Sequence, residues 1–163
     1  MIRFWQKRFG EGLKTESLEF DRELEDIRKE LKSIVKKRFA SSLAIRMVDS
    51  GSCNACEAEC NALSNPYYNL ERLGIYFVAS PRHADILLVS GVNTFNMQPH
   101  LLNAYEQLPA PKWVITLGDC PIKKSFAIKG EIDKILPISY HIKGCPPEPK
   151  DIIKGLLDFL RQI

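Results

Sequence analysis

No stretch of this chain comes near the roughly 18–20 consecutive apolar residues that a membrane-spanning helix requires. The opening MIRFWQKRFGEG is charged, with neither an apolar core nor a small-residue cleavage site, so it does not read as a secretory leader. A strong charge of one sign is missing too. The net charge is +3, from 23 Lys+Arg against 20 Asp+Glu. All of that surplus falls in residues 1–40, and the remainder is balanced. Such a balance, with no aromatic-rich basic motif, excludes a nucleic-acid surface. A chain kept inside the cell does not build a disulfide framework, because that compartment keeps thiols reduced. The expected place is therefore the cytoplasm, where the five cysteines stay available for metal or redox chemistry.

What is present divides into two parts. Residues 1–40 read as an N-terminal amphipathic helical extension. Phe20, Leu24, Ile27, Leu31, Ile34 and Val35 recur at spacings of three and four, which is one helical stripe set among charged residues. That stripe is expected to pack on its own domain or on a partner. Phe4, Trp5 and Phe9 lie among Arg3, Lys7 and Arg8, a pattern that suits contact with a membrane surface. Residues 41–163 change character. Short apolar runs at 42–48, 76–78, 85–90, 113–117 and 135–140 read as strands, and helical spacing falls at 57–73, 97–108 and 149–160. ILLV and WVITL are apolar without alternation, as strands covered on both faces are. Alternating strands and helices predict an α/β fold with a doubly wound parallel sheet.

Four cysteines fall in telling places on that scaffold. Cys53 and Cys56 follow the first strand, Cys120 follows WVITL, and Cys145 follows the last strand. All four are expected just beyond the carboxyl ends of strands, the edge where parallel sheets bind ligands. Small residues in DSGSCNACE let backbone approach a bulky group, and Gly51 permits a tight turn. Cys56 would open a helix, where free amides and the dipole favour thiolate. GDCP and GCPP place glycine and proline around the other two, and proline after a ligand cysteine is a habit of ferredoxin-type sites. Three chemistries answer to this set: an iron–sulfur cluster on four thiolates, structural zinc, which usually takes two close pairs, and a dithiol using Cys53 and Cys56 alone. Cys60, one helical turn after Cys56, is expected to fill core.

The segments CNACEAE, SPRHADILLVSG, PAPKWVITLGDC and GCPPEPKDIIKGLLD, in that order, resemble a known family. It is the small cluster-bearing subunit shared by membrane-bound NiFe hydrogenases and the NADH-quinone oxidoreductase of respiration. The resemblance implies a flavodoxin-like fold and one 4Fe–4S cluster on Cys53, Cys56, Cys120 and Cys145, proximal to the catalytic site of a large partner subunit. It also implies a ferredoxin-like iron–sulfur subunit and membrane subunits as partners, with the chain peripheral on the inner face of the membrane. Glu59 matches an acidic residue after the first cysteine pair, placed to support a loop or relay a proton. Arg82 and His83 belong to SPRHAD, with an interface contact expected of Arg82 and a protonation role of His83. In the quinone-reducing branch the first two ligands are usually adjacent. Here Asn54 and Ala55 separate them, as in the hydrogenase branch, which includes formate hydrogenlyase types. The chain departs from the family after the third ligand: PIKKSFAIKGEID carries Lys123 and Lys124 where a glycine-rich stretch is common.

Overall fold

The computed structural model describes Trp5, Phe9, Gly10 and residues 21–121 and 125–163. Most of the proposed lipid-contacting cluster, the start of the helical stripe through Phe20, and residues 122–124 of the basic loop lie outside these. Trp5 and Phe9 stack at 5.6 Å between ring centroids, and both are exposed.

The elements follow one another as α1 (Arg22–Phe39), β1 (Leu43–Asp49), α2 (Ala55–Ala62), β2 (Ile75–Phe77), β3 (Ile86–Ser90), β4 (Asn93–Thr94), α3 (Gln98–Gln107), β5 (Trp113–Leu117), β6 (Ile128–Gly130), β7 (Tyr140–Ile142) and α4 (Pro149–Gln162). Short 3₁₀ turns sit at Leu70–Leu73, Pro81–His83 and Ile132–Lys134. The main sheet is parallel, in the order β2-β1-β3-β5-β7. The sheet is doubly wound, as the strand–helix alternation predicts, and its order is the flavodoxin-like one that the family resemblance implies. Helix α2 connects β1 to β2 and α3 connects β3 to β5, while α1 and α4 flank the sheet in sequence, and both faces are covered. On one face Ile45, Ile86, Leu88, Ile115 and Leu117 pack against helices α1, α2 and α4. On the other, Val48, Leu87, Val89 and Val114 pack with Leu101 of α3. All five residues of β3, the central strand, are buried.

Two expected elements differ. The helix expected over 57–73 ends at Ala62. Pro66 has no N–H to give a helix, and the Asn65 side chain accepts the amides of Tyr67 and Tyr68 at 2.8 and 2.9 Å, closing a turn. Leu70 and Leu73 still reach the core, delivered by a 3₁₀ turn. The last strand lies at Tyr140–Ile142 rather than 135–140. Leu136 instead fills the second core cluster, after a 3₁₀ turn and before Pro137.

Helix α1 forms for local reasons and is held by long-range ones. Asp21 caps it, accepting the Leu24 amide at 3.1 Å, and Glu23 and Glu25 face the positive end of the helix dipole. Leu24, Leu31 and Val35 are buried in the same core cluster as α4. Lys150 of α4 donates to Asp21 and Glu23, both at 2.8 Å, and Arg161 donates to both oxygens of Glu30 at 2.6 and 2.8 Å. Asp21 is held below its ordinary value of 3.8, chiefly by the Lys150 hydrogen bond, and Glu30 below 4.5, chiefly by Arg161. A carboxylate with a lowered folded pKa contributes stability above its unfolded pKa, and that contribution is lost as pH falls through the folded value. Comparing urea midpoints of the parent and the Asp21→Asn/Glu30→Gln pair should thus show a gap at pH 6 that narrows as pH falls below the ordinary carboxylate values of 4.5 and 3.8. Asparagine keeps the cap, so the pair isolates the charges. A gap unchanged at pH 3 would refute the ion-pair account.

Candidate metal centre

The carboxyl ends of β1, β5 and β7 lie together along one edge of the sheet, and each is followed by a cysteine-bearing loop. After β1 the chain turns sharply. The Asp49 carboxylate accepts the Gly51 and Ser52 amides at 2.7 and 2.8 Å. The Ser52 hydroxyl accepts the Asn54 amide at 2.9 Å and donates to Glu57 at 2.7 Å. Glu57 also accepts from Ser90, the last residue of β3. The Cys53–Cys56 turn is thereby tied to two strands. Cys56 lies in the first turn of α2, whose N-cap Asn54 provides no side-chain acceptor. The first-turn amides are left to favour negative charge there.

Cys53, Cys56, Cys120 and Cys145 line one cavity of about 90 Å³ with Ala55, Leu117 and Pro121 on its walls. Cys56 is buried at its base, Cys120 is half-buried, and Cys53 and Cys145 are exposed at its mouth. Gly118 makes the approach of Cys56 possible. A Cβ there would stand 2.7 Å from the Cys56 sulfur, and its φ of +91° suits glycine. Burial pushes the free Cys56 thiol up to about 11, with Glu57 and then the three other cysteines adding to the shift. A bound cation would reverse that order, since coordination deprotonates a thiol. Among the described residues no three Cys, His, Asp or Glu side chains gather around a point where one metal ion could sit. The four cysteines line one recess instead. Four cysteines, small walls and first-turn helix amides around a recess are a donor set that fits an iron–sulfur cluster on thiolates.

The other candidates are scattered. Cys60 is buried in the core cluster one turn below Cys56, and burial raises its thiol to about 12. Glu59, half-buried on α2, is not among the residues lining the cavity. Arg82 and His83 are exposed in the turn before β3, at the opposite edge of the sheet from the cysteines. Arg82 donates to Gln107 at 3.2 Å.

Sequence reasoning missed a second group at the cavity. Asp119 precedes Cys120, and its backbone N–H donates to the Gly144 carbonyl at 2.6 Å. Its carboxylate accepts the Gly144 amide at 2.8 Å and faces His141 Nε2 at 2.8 Å. His141 Nδ1 lies 2.8 Å from the Thr116 hydroxyl. A carboxylate accepts and does not donate, so Nε2 carries the proton and, in the neutral ring, Nδ1 accepts from Thr116. The His141 hydrogen bond, then the Gly144 amide, hold Asp119 below its ordinary value. No local pattern signals this group, because its members meet across neighbouring strands.

Comparison with known proteins places this geometry. The family described as NADH ubiquinone oxidoreductase, 20 Kd subunit, matches residues 53–159. A protein of Methanocaldococcus jannaschii with no assigned function is 37% identical over 131 residues, covering 78% of this chain and 86% of that one. A probable membrane-bound hydrogenase subunit of Pyrococcus furiosus is 41% identical over 121 residues, covering 71% of this chain and 72% of its own length. A subunit of the F(420)H(2) dehydrogenase of Methanosarcina mazei is 40% identical over 113 residues, with coverage of 66% and 61%. Among solved structures, a chain of the membrane-bound sulfane sulfur reductase, an archaeal respiratory membrane complex, aligns with a TM-score of 0.65 at 29% identity. That alignment covers 82% of this chain and 75% of the other. With the match running from the first cysteine of the cavity into the final helix, the chain belongs to the NADH ubiquinone oxidoreductase 20 kDa subunit family.

Proposed function

We propose that this chain is the electron-transfer subunit of a membrane-bound, hydrogenase-like or respiratory complex, and that Cys53, Cys56, Cys120 and Cys145 hold one 4Fe–4S cluster. The observation that carries the reading is the convergence of four cysteines from three strand-end loops on one cavity. When bound, the cluster takes up and releases single electrons. The residues do the rest. Four thiolates fix its position, and Gly118 leaves room beside Cys56. The first-turn amides of α2 stabilise its negative charge, while buried Leu117 keeps water from its inner side. The exposed mouth at Cys53 and Cys145 needs a cover, which we assign to a large catalytic subunit resembling that of NiFe hydrogenases. A ferredoxin-like iron–sulfur subunit is the expected electron partner, and membrane subunits hold the assembly on the inner face of the membrane. No helix among the described residues is long and apolar enough to cross a membrane.

The Pyrococcus relative, whose name is that of a hydrogenase subunit, and the two-residue gap between Cys53 and Cys56 favour a NiFe partner. The likeness to the sulfane sulfur reductase supports a second reading, in which electrons end on a sulfur or quinone acceptor. Purified anaerobically with its partners, the chain should hold about four iron and four acid-labile sulfide. Stoichiometric nickel in the complex selects the hydrogenase reading, and its absence selects the second. Zinc in place of iron and sulfide would overturn both.

A further inference from the structure

The proposed ligands divide unequally. Cys53 and Cys56 share one loop, braced by Asp49, Ser52 and Glu57. Cys120 and Cys145 are solitary and lie on separate loops, so their spacing depends on whatever joins those loops. The join is centred on Asp119. Its backbone N–H and its carboxylate both engage Gly144, which places two hydrogen bonds between the residues immediately before Cys120 and Cys145. The carboxylate's other oxygen is held by His141 on β7, and His141 is held in turn by Thr116 on β5. The Asp119–His141–Thr116 chain thus ties together both strands and both loops. Gly118 adds a backbone link, its N–H donating to the Ile142 carbonyl at 2.9 Å.

We propose that Asp119, oriented by His141 and Thr116, is the positioning residue that sets the separation of the Cys120 and Cys145 loops and hence the ligand geometry of the cluster. The proposal rests on the cluster reading above. Charge suits the role, since an ionised carboxylate accepts hydrogen bonds more strongly than a neutral group. Geometry suits it as well: Asp119 lines the cavity yet spends both oxygens on the clamp and neither on a metal.

The test uses the anaerobically purified complex carrying Asp119→Ala, Asp119→Asn or His141→Phe. Iron release to a chelator and the electron paramagnetic resonance spectrum of the reduced complex are compared with the parent. Asp119→Ala should release iron roughly 10–100-fold faster, as loss of an outer ligand-orienting contact typically does, and its spectrum should broaden or shift. Asp119→Asn keeps an acceptor for the Gly144 amide but loses the charge and the second acceptor, and should release iron faster than the parent yet more slowly than Asp119→Ala. His141→Phe should fall between them. This graded order separates positioning from general destabilisation, which would follow melting temperature instead. Parent-like release and spectra in both Asp119→Ala and His141→Phe overturn the clamp while leaving the cluster in place. A parent chain that holds no iron once separated anaerobically from its partners overturns the cluster reading, and the clamp with it.

Discussion

Replacing Cys120 or Cys145 by serine should strip the chain of iron or convert its cluster, with the brown absorbance lost or reshaped. The effect is expected to be near total because each is the sole cysteine on its loop, so no neighbouring thiol can take over. Serine offers a harder oxygen donor with a far higher pKa, a poor substitute for thiolate on iron. Cys60→Ser serves as the contrast. Its sulfur is buried in the core rather than in the cavity, so iron content should survive that change. Iron analysis and visible spectra of the purified complexes check all three. Unchanged iron and absorbance in both Cys120→Ser and Cys145→Ser would sink the four-thiolate assignment. Activity that survived Cys120→Ser in an iron-free protein would restore the dithiol reading on Cys53 and Cys56.

Gly118→Ala should be nearly as damaging, although it removes no ligand. Two penalties combine. The backbone at φ +91° is one that an L side chain adopts only under strain of order 1–3 kcal/mol. The new methyl would also sit 2.7 Å from the Cys56 sulfur, closer than carbon and sulfur can come, so Cys56 or the loop must move. Urea unfolding of the iron-free chain reads the two together, and iron retained through anaerobic purification reads what the displaced Cys56 does to the site. The expected outcome is a loss of about 1–3 kcal/mol together with a cluster content well below the parent's. Full iron content at reduced stability would show that the cavity tolerates the methyl and that the glycine answers to the backbone alone.

The legible parts of this molecule were those encoded by local pattern. Unbroken apolar runs marked ILLVS and WVITL as buried strands, and the strand–helix alternation gave the winding of the sheet. Once the strands were placed, the rule that ligands gather at carboxyl ends put the four cysteines on one edge. Boundaries failed where side chains overrode periodicity. Leu70 and Leu73 kept a helical spacing although Asn65 and Pro66 had already ended the helix. Ile135, Leu136 and Ile138 read as a strand because burial, not extension, selects apolar residues there. The antiparallel pair β4–β6 was invisible: two residues bond to three that lie far along the chain, and Asn93–Thr94 carries no strand signal. Asp119 and His141 were missed for the same reason, being partners only after β5 and β7 are neighbours. Arg82 and His83 were singled out by motif, yet the order of turn and strand sends them to the far edge.

Three separate loops supplying the ligands also make the centre a cross-link. Joining Cys56 to Cys120 and Cys120 to Cys145 through a cluster would close loops of roughly 65 and 25 residues, each removing about 3–4 kcal/mol of disorder from the unfolded chain on the simple chain-entropy estimate. Occupancy would then act as a clasp on the sheet edge formed by β1, β5 and β7, and loss of iron would loosen the fold as well as silence the electron path. Cellular turnover could thus remove cluster-less chains by their weaker fold, with no need to inspect the metal itself.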